Sequence, residues 1–318
     1  MIAAMKRALI ILLSAALCLS LGACGKAEET TQEDTVLTIV VTVFPAYDWA
    51  GVIGGERCSV VMLVPPGSDI HSYEPTPRDI ITIENCDLLI RNGGESEEWL
   101  DTVLEGTQRR CETIVMLECV EALEEEHKEG MQDLHEEDEP DGIEYDEHVW
   151  TSPRNAAVIC GTICESLCAL DSQGSETYRR NCEAYLAELD RLDAAFREIV
   201  AGGRLDCVVF ADRFPARYFT EAYGLDYYAA FPGCADDAEP SARTVAFLID
   251  RVREMDVPAV FYVEYSDEKM ADVICEDTHC KKLLFHSCHT VSADDLKNGA
   301  DYLGLMWANA ENLKEALG

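Results

Sequence analysis

One segment decides how the first half of the chain is interpreted: Pro65-Pro66-Gly67-Ser68-Asp69-Ile70-His71-Ser72-Tyr73-Glu74-Pro75-Thr76-Pro77. The apolar residues 60–64 precede it and predict a short buried strand. Two prolines and a glycine then end that strand, because proline cannot donate to a ladder and glycine permits a sharp turn. His71 is thus predicted at the carboxyl end of a strand, where open α/β sheets bind ligands. It could hold a ligand there or simply cap a loop.

Length and charge narrow the class of protein. The chain has 318 residues, which is long for one domain and sufficient for two, each with its own core. Its 61 Asp and Glu against 25 Lys and Arg give a formal net charge of -36. Such a charge argues against nucleic acid, whose phosphates require basic side chains. It favours cations as partners, because a negative surface potential concentrates them.

The 15 cysteines do not have the spacing of a disulfide framework. Cys160, Cys164 and Cys168 recur every four residues in an apolar helical pattern, and no CxxC pair occurs in the chain. We therefore expect these three to pack as small apolar side chains rather than to bind a metal.

The first residues have the pattern of a bacterial export signal. Lys6 and Arg7 precede a nearly continuous apolar run, which ends at Leu21-Gly22-Ala23-Cys24. That ending resembles a lipobox, in which the signal (residues 1–23) is cut before a cysteine that receives a lipid. We expect Cys24 to anchor the protein to the outer face of the bacterial cell membrane, with the polar residues 24–35 as a tether.

Strands and helices alternate along the rest of the chain, which predicts parallel α/β sheets. Strands are predicted at residues 36–43, 60–64, 87–91, 113–117, 207–210, 226–231, 259–264 and 282–285. Helices are predicted at 47–53, 78–85, 96–105, 153–169, 175–201, from about 241, at 266–276 and at 298–317. The longest has a continuous apolar stripe, so residues 175–203 are predicted to link a lobe at 36–174 to a lobe at 204–318.

Residues 121–147 interrupt this pattern with a run of Asp and Glu that includes His127 and His135. Few apolar residues are available for burial, so we expect a mobile segment. It could be a solvated acidic loop or a weak cation collector, since carboxylates and imidazoles bind divalent metals even without order.

Four histidines lie near strand ends or helix starts. They are His71, His148, His286 and His289. His148 stands just before the helix predicted from Pro153, for which Ser152 is a suitable N-cap. Single histidines on two lobes suit a metal ion clamped between them.

Several stretches together resemble the metal-binding group of bacterial ABC-transporter solute-binding lipoproteins, which capture zinc or manganese. The stretches are Pro65-Pro66-Gly67, residues 71–77, His148-Val149-Trp150 with Ser152-Pro153, Tyr218-Phe219 with Tyr223-Gly224-Leu225, and Glu239-Pro240-Ser241. The resemblance implies two α/β lobes, each with a mostly parallel sheet flanked by helices, joined by one long rigid helix. It implies one metal site in the cleft between the lobes.

The resemblance also implies the ligands. His71 and His148 match the first two, although Ile70 replaces a usual proline. The third position falls at Ala211, which cannot coordinate, so Asp212 or a water is expected instead. The fourth falls at His286, with His289 as its rival.

A set of imidazoles with one carboxylate suits Zn²⁺ better than Mn²⁺, which prefers more oxygen ligands. The implied function is capture of Zn²⁺ and its delivery to an ABC permease and the associated ATPase subunit. Three alternatives stay open: a homologue for Mn²⁺ or Fe²⁺, a surface adhesin with a structural metal, and a zinc hydrolase. The hydrolase is disfavoured because no HExxH motif occurs, so we expect a binding protein and not an enzyme.

Overall fold

Two four-stranded sheets organise the chain, and the strand pairs within both are parallel. The computed structural model describes residues 36–68, 73–107, 111–132, 144–233 and 240–318. The first sheet contains β1 (Leu37–Val41), β2 (Cys58–Met62), β3 (Leu88–Arg91) and β4 (Glu112–Val115), and the second contains β5 (Cys207–Arg213), β6 (Asp226–Phe231), β7 (Ala259–Val263) and β8 (Lys281–Phe285). The orders are β2-β1-β3-β4 and β6-β5-β7-β8. Each lobe therefore repeats one topology, and the predicted α/β fold is confirmed.

The central strands β1 and β5 are buried on both faces, as their apolar sequences predict. Helices cover the first sheet: α1 (Phe44–Gly54), α2 (Pro77–Asn85), α3 (Glu98–Gly106) and α4 (Pro153–Leu170). Thr76 and Asp79 form a capping box at the start of α2. The Ser152 hydroxyl accepts from the Asn155 N–H at 3.4 Å, so the predicted N-cap of α4 is confirmed.

One long helix, α5 (Ser175–Gly202), connects the lobes. Its 28 residues extend roughly 42 Å at the usual helical rise. Its buried stripe follows the predicted three- and four-residue steps and consists of Tyr178, Cys182, Tyr185, Leu189, Leu192 and Phe196. The helix packs against α1, α4 and the last helix of the chain, so it has partners along much of its length.

The second lobe has five helices among its described residues: α6 (Arg217–Tyr223), α7 (Ala242–Met255), α8 (Lys269–Thr278), α9 (Ala293–Lys297) and α10 (Tyr302–Leu317). The sequence pattern did not predict the short α6 and α9. The last helix starts later than expected because Asp301 caps it, accepting from the Gly304 N–H at 2.6 Å.

A continuous apolar core includes residues of both lobes, of α5 and of α10, and residues 36–318 form one compact unit. Cys160 and Cys164 lie in this core and Cys168 packs against it, as their spacing predicted. In the part of the chain that the structure describes, no helix is both long enough and apolar enough to cross a membrane.

The described ends of the acidic segment are attached to the second lobe, whereas the sequence predicted mobility throughout. Glu124 forms an antiparallel bridge with Tyr145. The Gln132 N–H donates to the Ala230 carbonyl at 2.8 Å, beside β6. Lys128 pairs with the Asp226 carboxylate and lies 4.0 Å from the centre of the Tyr227 ring. His127 is exposed, and His135 lies outside the described residues.

Asp171 joins three segments at the far end of the first lobe. It follows α4, is 7% exposed, and accepts from Arg57 Nε and from the Tyr178 hydroxyl, both at 2.8 Å. Burial by itself raises the pKa of a carboxyl group. The hydrogen bonds from Tyr178 and Arg57 outweigh that effect and lower the pKa of Asp171.

We predict that Asp171→Asn lowers the free energy of unfolding by about 1–3 kcal/mol at pH 7, because the partly buried Arg57 loses its charged acceptor. Because the folded-state pKa is lowered, the contribution of Asp171 exists above the ordinary carboxyl pKa and disappears as the pH falls. Urea denaturation from pH 7 downward measures both effects. The exposed Asp190→Asn is the matched control. Equal stability of the two variants at pH 7 would contradict this account.

Candidate metal centre

A cleft of about 170 Å³ lies where the carboxyl ends of strands from both sheets meet. Ser68 and His148 line it from the first lobe. The second lobe contributes residues at the ends of β5, β7 and β8, among them Arg213, Glu264 and His289. The position follows from topology, because the loops after parallel strands emerge at one edge of each sheet.

His148 and His289 meet in this cleft. Their ring centres are 5.8 Å apart and their planes are nearly perpendicular, at 88°. Two imidazoles bound to one tetrahedral zinc ion, with Zn–N bonds near 2.1 Å, have ring centres roughly 5–6 Å apart. The indole of Trp150 contacts both rings, with centres at 5.5 and 5.4 Å. The pair is therefore spaced to share one ion.

Asp146 orients the His148 ring. Its Oδ1 accepts from the His148 backbone N–H at 2.8 Å and lies 3.3 Å from His148 Nδ1. The Tyr218 hydroxyl, from α6, donates to the Asp146 carbonyl at 2.9 Å. With Nδ1 beside the carboxylate, Nε2 is the nitrogen left to serve as a ligand atom. A carboxylate behind an imidazole is a usual arrangement around metal ions.

The surroundings of His148 favour positive charge. The residue is 3% exposed, and burial alone would lower its pKa. The carboxylates of Asp146, Glu147 and Glu125 outweigh burial, so the pKa of His148 is raised. The same negative potential favours a metal cation at this position.

The loop after β8 holds His289 in place. The His289 N–H donates to Ser287 Oγ at 3.1 Å, and the Ser287 N–H donates to Glu264 Oε2 at 2.7 Å. Two bonds reach across from the first lobe: Trp150 Nε1 donates to the Ser287 carbonyl at 2.7 Å, and the Phe44 N–H donates to the His289 carbonyl at 3.3 Å. The two histidine-bearing loops are thus tied directly to each other.

His286 has a different environment. Its Nδ1 accepts from the Cys288 N–H at 3.0 Å and lies 3.7 Å from Glu264. Its backbone N–H and carbonyl both bond to the Asn309 side chain at 2.8 Å. It is not among the residues that line the cleft. Of the two rivals after β8, the structure brings His289 to His148 and does not bring His286 there.

Asp212 also lies apart from the cleft lining. Its Oδ1 accepts from the Arg213 N–H at 2.8 Å and its Oδ2 from the Val263 N–H at 3.2 Å, so it links β5 to β7. Ala211 is buried in the second-lobe core. The register of β5 shifts between Phe210 and Arg213, and Arg213 is the residue that lines the cleft.

His71 lies outside the described residues. Gly67 and Ser68 nevertheless line the cleft, and the Gly67 N–H donates to Thr290 Oγ1 at 3.0 Å. Within the described ranges, no group of three or more His, Cys, Asp or Glu side chains is arranged to hold a metal ion. The described cleft thus brings together two imidazoles, those of His148 and His289.

Sequence reasoning did not identify Glu264, Arg213 or Asp146 at this site. Glu264 is the last residue of a predicted strand, and this position at a carboxyl end could have indicated that it lies near the ligand site. Asp146 precedes His148 by two residues in an acidic run, which hid it among surface carboxylates. Arg213 became evident only from the irregular register of β5.

Comparisons with known proteins agree over nearly the whole folded chain. The family model described as zinc-uptake complex component A, periplasmic (ZnuA) matches residues 39–316. The zinc-binding lipoprotein AdcA of Streptococcus pneumoniae is 28% identical over 314 residues, which are 96% of this chain and 60% of AdcA. The chain thus spans less than two thirds of that relative. The high-affinity zinc uptake system protein ZnuA of Bacillus subtilis is 27% identical over 311 residues, covering 95% of both.

Solved structures have the same architecture. The Zn(II)-bound ZnuA-like domain of S. pneumoniae AdcA matches with a TM-score of 0.73 and 25% identity, covering 89% of this chain and 99% of that domain. The laminin-binding protein Lmb of Streptococcus agalactiae matches with a TM-score of 0.71 and 21% identity, over 89% of this chain and 100% of Lmb, which is a likeness of fold alone. Because the family model covers residues 39–316, the chain belongs to the family of zinc-uptake complex component A, ZnuA.

Proposed function

We propose that this protein is the extracytoplasmic solute-binding component of a divalent-metal ABC importer. It captures Zn²⁺ in the cleft between its lobes and delivers the ion to a membrane permease, which works with its ATPase subunit. The observation that carries the proposal is the pair of imidazoles from opposite lobes, His148 and His289, with ring centres 5.8 Å apart.

His71, His148 and His289 are the proposed imidazole ligands. Ser68 lines the cleft, and the three residues of chain from Ser68 to His71 span at most about 11 Å. Glu264 is a cleft-lining carboxylate that can take the fourth position, and water is the alternative. Arg213 cannot coordinate a metal, because its guanidinium remains protonated. Three imidazoles favour Zn²⁺ over Mn²⁺ or Fe²⁺.

The names of the relatives support this cargo. AdcA is called zinc-binding and the B. subtilis relative is called a high-affinity zinc uptake protein. The ZnuA-like domain of AdcA was solved with Zn(II) bound.

Capture and release need only small movements in this scheme. The core is continuous across the lobes and α5 is one uninterrupted helix, so a wide hinge closure would break many packed contacts. We propose that docking on the permease shifts the loops carrying His148 and His289 relative to each other. A shift of this kind removes ligands from the ion and releases it.

Lipid attachment at Cys24 is the proposed anchor, and this residue lies outside the described part of the chain. In Cys24→Ala, the lipid cannot be attached and the signal of residues 1–23 cannot be cut at this position, so we expect the protein to lose metabolic labelling with palmitate and to keep its signal. Labelling of cells and the mass of the isolated protein measure both effects. Palmitate labelling of the variant equal to that of the wild-type protein would contradict lipid attachment at Cys24.

The ligand assignment predicts different effects for the two histidines after β8. We expect His289→Ala to weaken Zn²⁺ binding by more than the roughly 10–100-fold typical of an outer-shell change, because it removes a ligand. We expect His148→Ala to do the same. His286→Ala should change the affinity only a few-fold. Competition with a chromophoric zinc chelator measures all three affinities.

Asp212→Ala is the matched test of the fourth position. Its carboxylate bonds two backbone N–H groups, so we expect a lower melting temperature with the zinc affinity retained. A large loss of affinity in His286→Ala and Asp212→Ala, with none in His289→Ala, would overturn the proposed ligand set in favour of those two residues.

Asp146→Asn tests the orientation of His148. The amide keeps the shape but loses the charge beside Nδ1, so we expect zinc affinity to fall by roughly 10–100-fold with one ion still bound. Titration calorimetry gives affinity and stoichiometry together. Asp190→Asn, on the exposed face of α5, is the control. An unchanged affinity in Asp146→Asn would show that the carboxylate does not tune the ligand.

A further inference from the structure

Two thiols are in contact at the turn between α8 and β8. Cys275 Sγ and Cys280 Sγ lie 3.5 Å apart. Cys275 belongs to the last turn of α8, and Cys280 immediately precedes Lys281, the first residue of β8. His279 between them adopts the left-handed conformation, with φ of 63°. This residue reverses the chain and returns Cys280 to the helix end.

Local hydrogen bonds hold this turn. The His279 N–H donates to the Cys275 carbonyl at 2.8 Å, and the Cys280 N–H donates to the Thr278 hydroxyl at 3.4 Å. That hydroxyl in turn donates to the Ile274 carbonyl at 2.7 Å. Both cysteines are half-buried and pack against the apolar core of the second lobe. The backbone of this turn therefore places the two cysteines side by side.

We propose that Cys275 and Cys280 are a modification site and form a disulfide bond in the exported protein. This inference rests on the extracytoplasmic location proposed above, because disulfides persist in oxidising compartments. In the reaction, two S–H bonds break and one S–S bond forms. The two electrons and two protons pass to the disulfide of an exported thiol–disulfide oxidoreductase, which leaves as a dithiol.

The chemistry of the pair indicates a structural disulfide rather than a catalytic one. Burial, the Cys280 thiol and the Asp272 carboxylate raise the pKa of Cys275 to about 12. Reactive disulfides belong to pairs whose reduced form is stabilised as a thiolate. Here the thiolate is disfavoured, so the oxidised form has no such competitor. For the same reason, spontaneous oxidation is slow and an oxidoreductase or a redox buffer is needed.

The bond would join the end of α8 to the start of β8. The loop with His286 and His289 follows the opposite end of β8, five residues further along. The constraint therefore acts on the stability of the second lobe and not on the geometry of the cleft. We expect the oxidised and reduced proteins to bind zinc equally well.

Peptide mapping tests the bond directly. The mature chain is reduced, equilibrated in a glutathione buffer at an oxidising poise, alkylated and digested with trypsin. Residues 270–281 form one tryptic peptide that contains both cysteines. The proposal predicts that this peptide carries no alkyl label and is lighter by two hydrogen atoms than its reduced form. A doubly labelled peptide, or either cysteine linked to a different one, would overturn the proposal.

Thermal unfolding in excess chelator tests the consequence. The oxidised wild-type protein should melt roughly 3–8 °C above the reduced protein, an increase expected for a short cross-linked loop. The double variant C275S/C280S subtracts any effect of the other thiols and should show no such difference. If the double variant shows the same difference in melting temperature between its oxidised and reduced samples, other thiols cause that difference and the proposal is overturned. Zinc titration of the same samples separates this result from the proposed function.

Discussion

The hydrogen bond from the Trp150 indole N–H to the Ser287 carbonyl, 2.7 Å long, is the contact on which the cleft depends. The Tyr302 hydroxyl donates to the Trp150 carbonyl at 2.6 Å, so the same residue is held by both of its polar ends. Trp150 is 1% exposed, and a buried donor without an acceptor would cost about 1–3 kcal/mol. Breaking this hydrogen bond would therefore cost free energy, and the bond fixes the distance between the loops that carry His148 and His289.

Buried carboxylates support the first-lobe side of the cleft. Glu97 is fully buried and accepts from the backbone N–H groups of Gly93 at 2.7 Å and Asn92 at 3.2 Å. Burial raises the pKa of Glu97, and these bonds offset only part of that effect. Glu147 accepts from the Ser96 N–H at 3.0 Å. The loop after β3 is thereby tied to the segment before His148.

The acidic segment adds a direct contact between the two lobes. Tyr218 bonds both the Asp146 carbonyl and the Leu123 N–H, at 2.9 and 3.1 Å. Residues next to His148 therefore contact α6 directly. Together with α5 and the continuous core, this contact argues that the lobes move as closely coupled bodies. A site built between such bodies is sensitive to small displacements, which suits the release on docking that we propose.

Local sequence signals determined most of the secondary structure and the fold class. β-branched runs, proline and glycine stops and helix caps act within a few residues, so β1, α4 and α5 could be predicted without tertiary information. Which histidine lies beside His148 could not be predicted in this way. His286 and His289 are three residues apart in the chain. The backbone of His286 bonds to the Asn309 side chain, whereas the ring of His289 packs against Trp150, and these contacts decide which of the two lies in the cleft. The register shift in β5 likewise accompanies the placement of Arg213 at the cleft and of Asp212 against backbone N–H groups. Register depends on the neighbouring strands as well as on the strand's own residues, so the sequence of β5 alone does not reveal it.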